Sequence, residues 1–119
     1  MAAFVISKRF NDEYKFVFAS RKGKTIFTSL SYELKFECQE SIELLIEKIK
    51  EVQFVKLKSS KGIYSFKLLL DGKHLATSRK YTTELRLQKG INEITLYGHK
   101  AEILDFSNGD VVFDAPTST

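Results

Sequence analysis

Residues 23–32 read GKTIFTSLSY and residues 72–81 read GKHLATSRKY. The Gly-Lys pair, the Thr-Ser pair and the closing tyrosine keep one spacing in both, and the agreement extends outward. Upstream, Phe4-Val5, Tyr14 and Phe16 return as Phe54-Val55, Tyr64 and Phe66; downstream, Gln39 and Ile42 return as Gln88 and Ile91. The offset is 50 residues as far as Phe16 and 49 from Gly23 onward, so one residue separates the two frames. This is the mark of a tandem duplication. A unit of this length cannot bury its apolar face alone, so the two copies are expected to complete a single core.

Within each copy the apolar period changes once. Tyr14, Phe16 and Phe18 alternate with Lys15 and Val17, and Tyr64, Phe66, Leu68 and Leu70 alternate with Ser65, Lys67 and Leu69, a period of two that predicts strands with one face in a core. A strand precedes each of these, from Phe4 to Lys8 and from Phe54 to Lys58. Turns are expected at Asn11-Asp12 and at Ser60-Lys61-Gly62. Gly23-Lys24 and Asp71-Gly72 supply tight hairpins into third strands that end at Thr28-Ser29 and Thr77-Ser78. Cys38, Ile42, Leu45, Ile46, Ile49 and Val52 then recur at helical steps, with Glu37, Glu40, Glu43, Glu47 and Lys50 on the other faces. Leu87, Ile91 and Ile94 repeat the stripe, but Gly90 and Asn92 weaken it and Gly98 offers a stop, so the second helix is expected to be the shorter. Beyond it, Ala101 to Phe106 reads as a strand, Ser107-Asn108-Gly109 as a turn and Asp110 to Phe113 as a last short strand, a possible stub of a third unit in which Ile103 and Phe113 echo Ile6 and Phe16.

The predicted architecture is α+β: a tandem duplication of a β-β-β-α unit forming a single antiparallel sheet with two helices on one face, plus an extra C-terminal hairpin. Residues 1–114 form a single domain, with repeat one at 4–52, repeat two at 54–98 and C-terminal strands at 101–113; residues 115–119 are expected to be a disordered tail. A chain of 119 residues buries roughly 65% of its unfolded surface, enough to fold without metal or disulfide. The single cysteine, Cys38, lies on the apolar helix stripe as a small reduced hydrophobe, which with the absence of a leader pattern or an apolar run of membrane length implies a cytoplasmic protein. Net charge is +4, but residues 37–51 alone carry −3, leaving +7 on the rest. An acidic element sits on a basic body.

The pattern resembles the YegP-like family of small, uncharacterised bacterial proteins, whose repeat runs from a phenylalanine through an aromatic strand, a glycine turn and a Ser-x-x-Tyr segment into a helix bearing Gly-Ile. The matching residues are Phe4, Tyr14-Lys15-Phe16, Gly23, Ser29-Leu30-Ser31-Tyr32 and Ser41-Ile42, and again Phe54, Tyr64-Ser65-Phe66, Gly72, Ser78-Arg79-Lys80-Tyr81 and Gly90-Ile91. The resemblance covers residues 4 to 106 and implies one sheet in which the units exchange their C-terminal strands. The sequence departs from the family at Lys22-Gly23 and Asp71-Gly72, where Asn-Gly is usual, at Ser41, where the helix glycine is usual, and in the extra C-terminal hairpin. It implies no catalytic residue.

The repeated Thr-Ser-x-x-Tyr segments join strand to helix. Their hydroxyls are expected to satisfy amides at the helix start while Tyr32 and Tyr81 cover the edge of the core; a symmetric pair of ligand contacts is the alternative. His74 and His99 read as surface residues, and no His, Cys and Asp cluster suggests a metal. No cofactor motif is present, and no acid–base pair is repeated. The function expected is therefore a non-catalytic interaction module, in which a pseudo-symmetric sheet surface carrying Val17, Phe27, Leu69, Lys15, Lys67 and Arg79 meets a protein partner or a second copy. The rival is weak binding of single-stranded nucleic acid through the basic sheet face. Neither involves a membrane.

Overall fold

The computed structural model describes residues 1–107. Its elements run β1 (Ala3–Lys8), β2 (Tyr14–Ala19), β3 (Thr25–Ser29), α1 (Lys35–Glu47), β4 (Gln53–Lys58), β5 (Tyr64–Leu70), β6 (Lys73–Ser78), α2 (Glu84–Tyr97) and β7 (Glu102–Asp105). Short 3-10 turns at Ile49–Glu51 and Gly98–Lys100 lead out of the helices. The predicted turn at Ser107-Asn108-Gly109, the strand from Asp110 to Phe113 and the tail lie wholly or partly outside the described residues.

All seven strands form one sheet in the order β4-β5-β6-β3-β2-β1-β7. Antiparallel pairs join β4 to β5, β5 to β6, β6 to β3, β3 to β2 and β2 to β1. The expectation of a purely antiparallel sheet is corrected at one edge: β7 pairs parallel to β1, with Phe4 beside Ile103. The connection explains the direction. The strand after α1 lies outside β5 as β4; the strand after α2 heads for the matching place outside β2, finds β1 already there, and adds beyond it running the same way.

Phe4 and Ile6, Phe16 and Phe18, and Phe66 and Leu68 point to one side of the sheet and join the buried faces of both helices, Cys38, Ile42 and Leu45 from α1 and Leu87, Ile91 and Ile94 from α2, in one hydrophobic cluster. Phe4 meets Phe18 edge-on at 5.1 Å between ring centroids, an arrangement favoured by the ring quadrupoles. The register shifts after Phe18 in the β2–β3 pair and after Leu68 in the β5–β6 pair. Each shift makes two residues oppose one, Ile26 and Phe27 against Phe18, and Leu75 and Ala76 against Leu68.

That bulge corrects the placement of Phe27. Set opposite the inward Phe18, it stacks on that ring at 5.6 Å and is only 1% exposed, so it belongs to the core and not to the open face. The second helix is also not the shorter: α2 has 14 residues and α1 has 13. Asn92 is solvent-exposed and accepts a hydrogen bond from Gln88, and Gly98 keeps right-handed helical geometry, so neither ends the helix early. Gly98 is small for another reason: a Cβ there would lie 3.0 Å from the Ile49 side chain. Among the described residues no helix is long and apolar enough to cross a membrane.

Candidate functional site

Both Thr-Ser-x-x-Tyr segments do something other than cap a helix. Ser29 Oγ accepts from the Phe16 amide at 2.9 Å and donates to the Leu30 carbonyl at 2.8 Å; Ser78 Oγ accepts from the Phe66 amide at 2.8 Å and donates to the Arg79 carbonyl. The chain then steps out of the sheet and returns at Tyr32 and Tyr81, which pair with Tyr14 and Tyr64 through reciprocal backbone bonds of 2.8 Å. The serine hydroxyl thus stands in for the carbonyl that the departing strand withdraws. Helix capping falls elsewhere: Thr83 accepts from the Arg86 amide, and Glu37 accepts from the Leu34 amide.

On the open side of the sheet, one residue from every strand lines up in register: Val55, Lys67, Thr77, Thr28, Val17, Val5 and Leu104. Val17 and Lys67 of the predicted surface occupy this row, Lys15 and Leu69 lie in adjacent rows on the same face, and Phe27 is on the opposite one. Arg79 is not on the face at all. It lies just beyond β6, with its guanidinium 5.5 Å from the Tyr81 ring.

Arg79 belongs to a cleft of about 480 Å³ between the β2–β3 hairpin, the segment after β6 and α2, lined by Lys22, Lys24, Arg79, Lys80, Arg86 and Lys89 around Tyr81 and Gly90. One carboxylate, Glu93, also lines it. Glu93 is already engaged: it accepts from the Arg21 amide at 2.9 Å and from Arg21 Nε at 3.1 Å. Burial alone would raise the Glu93 pKa, but the hydrogen bonds from Arg21 hold it below its ordinary value. Arg21 is itself laid over the Tyr97 ring, 4.0 Å from its centre. The cleft is left with uncompensated positive charge.

The matching groove of the first half has the opposite sign. It is lined by Tyr32, Glu37, Glu40, Ser41 and Leu44, whose counterparts 49 residues on are Tyr81, Arg86, Lys89, Gly90 and Glu93. The site lies where the two halves differ in sequence rather than where they agree.

Little else offers chemistry. Burial, and secondarily Asp105, pushes the Cys38 thiol up to about 11, so it stays protonated at neutral pH. His74 Nε2 lies 3.0 Å from the Ala76 carbonyl and 3.1 Å from Thr77 Oγ1, a local contact within β6. Among the described residues no three His, Cys, Asp or Glu side chains gather closely enough to hold a metal ion.

No protein-family model and no curated protein matches the chain. Solved structures do. A UPF0339 protein from Shewanella oneidensis, determined by solution NMR, superposes with a TM-score of 0.77 at 24% identity over 89% of this chain and 92% of that one. The protein of unknown function yegP from E. coli superposes with a TM-score of 0.76 at 23% identity over 89% of this chain and 93% of that one. The chain has the YegP-like fold.

Proposed function

We propose that this chain is a non-catalytic binding module whose ligand is a polyanion seated in the basic cleft. Its scaffold is read as a duplicated β-β-β-α unit with the strand after each helix exchanged into the other half, and the duplication left two equivalent grooves free to diverge. The observation that carries the reading is the lining of the second groove: Lys22, Lys24, Arg79, Lys80, Arg86 and Lys89 converge around a single carboxylate that Arg21 already neutralises. Single-stranded nucleic acid is the natural probe, and the cleft, rather than the open sheet face, is where it belongs.

Titrating a short labelled oligonucleotide at rising salt tests this. Each neutralised phosphate of a single strand contributes about 0.7 to the slope of log K against log salt, so engagement of most of the cleft gives a slope of about 3 to 4. Arg86→Glu and Lys89→Glu are expected to weaken binding at least tenfold, while Lys15→Glu and Lys67→Glu on the open face leave it nearly unchanged. Equal sensitivity to all four changes would remove the site from the cleft.

The second reading is a protein partner on the open face, supported by the in-register row that places Val5, Val17 and Val55 toward solvent. Such binding responds little to salt and fails with Val17→Asp or Leu69→Asp.

A further inference from the structure

We propose that the floor of the basic cleft is a seat for a phosphoryl group, in which the Tyr81 hydroxyl is a neutral donor and Arg79, Arg86 and Lys89 supply the counter-charge. The proposal rests on the polyanion reading and deepens it.

In the first half the Tyr32 hydroxyl donates to Ser41 Oγ at 2.8 Å, beside Glu37 and Glu40. In the second half the serine position is Gly90, and a Cβ built there would come within 2.5 Å of Tyr81 Oη. The hydroxyl therefore occupies the room a side chain would need, and among the described residues it has no hydrogen-bond partner. Where the first groove carries two carboxylates and a serine, the second carries two cations and a glycine.

A solvated face accounts for charge of either sign. The glycine follows from the packing of Tyr81, but charge on a solvated face does not account for three cations gathered beside a half-buried phenol that has no protein partner among the described residues. A phosphoryl oxygen on the cleft side of the Tyr81 hydroxyl would accept from it while the cations balance its charge, and hydrogen bonds to ionised acceptors are the strong ones. The one aromatic ring among the residues lining the cleft, Tyr81, is half-buried with the Arg79 guanidinium 5.5 Å from its centre, so the ligand is read through its phosphates. The cations outnumber what one dianion requires, and the volume of about 480 Å³ suits a group of nucleotide size. The chemistry is a run of adjacent phosphates, supplied by a free polyphosphate or by the backbone of a single strand.

The test titrates tripolyphosphate, an oligothymidylate and a glutamate-rich peptide into the whole chain and into two variants. Tyr81→Phe keeps the ring and removes the hydroxyl. Gly90→Ser forces the Tyr81 ring aside, toward the arrangement in which Tyr32 meets Ser41, whereas Tyr81→Phe disturbs no packing and is the variant that retains the fold. Affinity for a phosphate probe is expected to fall about tenfold in both, the size of one lost hydrogen bond to an anion. The probe that suffers more identifies the source. Unchanged phosphate affinity in both variants, with Arg86→Glu still destructive, overturns the seat and leaves the polyanion reading standing. Tighter binding of the acidic peptide than of either phosphate also overturns the seat. Absence of salt-sensitive binding by the unaltered chain sinks both proposals.

Discussion

Ser29 and Ser78 each close a gap in the hydrogen-bond ladder at the point where a strand leaves the sheet, and each is buried. Replacing either by alanine strands a buried amide, that of Phe16 or of Phe66, and should cost about 1–3 kcal/mol. Urea denaturation checks this, and a loss below about 0.5 kcal/mol would mean that water or the backbone takes over the role. Threonine should rescue part of the loss by retaining the oxygen. The sequence marked these residues through their repetition but assigned them to helix starts, because Ser and Thr before a helix usually cap it. The distinction was not legible, since it depends on the two residues that loop out before each tyrosine. Phe27 was misplaced for a related reason: counting alternate residues presumes an unbroken register, and the bulge at Ile26 breaks it.

At the scale of elements the change from a period of two to a helical period was legible in both halves of the chain, and the strands it defined agree with the structure to within a residue or two. Ile42 is completely buried and Ile91 is 6% exposed, so Ile42→Ala should cost about 2–5 kcal/mol and Ile91→Ala should fall toward the lower end of that range. Denaturant midpoints of the two variants decide the order, and a loss under about 1 kcal/mol at Ile42 would contradict its place in the core. The parallel pairing of β7 was not legible, because local pattern fixes a strand's two faces but says nothing of its neighbour. The basic cleft had a signal in the sequence, the sign reversals from Glu37 to Arg86 and from Glu40 to Lys89. Sign reversals of this kind are invisible to a pattern built on the residues that both halves keep.

For the molecule as a whole, three ion pairs among the described residues tie distant parts of the chain together: Lys48 with Asp71 at 3.8 Å, and two closer ones, Arg21 with Glu93, which joins the first hairpin to α2, and Lys35 with Asp105, which joins α1 to β7 at 2.9 Å. Burial alone would raise both carboxylate pKa values, yet hydrogen bonds from Arg21 at Glu93, and from Ser107 and Lys35 at Asp105, bring them below their ordinary values of 4.5 and 3.8. A depressed native pKa means that the stabilisation is present above the unfolded value and disappears as pH falls through the folded one. Thermal melts of Glu93→Gln should therefore lie below those of the unaltered chain at pH 7, with the gap narrowing toward zero as pH drops below about 4. A gap that persists at low pH would assign the effect to packing. The position of β1 has a consequence for biosynthesis. One of its two neighbours, β7, is made only after every other described element, so the sheet cannot be completed until β7 has emerged from the ribosome. Until then, the β1 edge is an unpaired row of amides and carbonyls, and a nascent-chain arrest series should show protease resistance appearing abruptly only when β7 has cleared the exit tunnel.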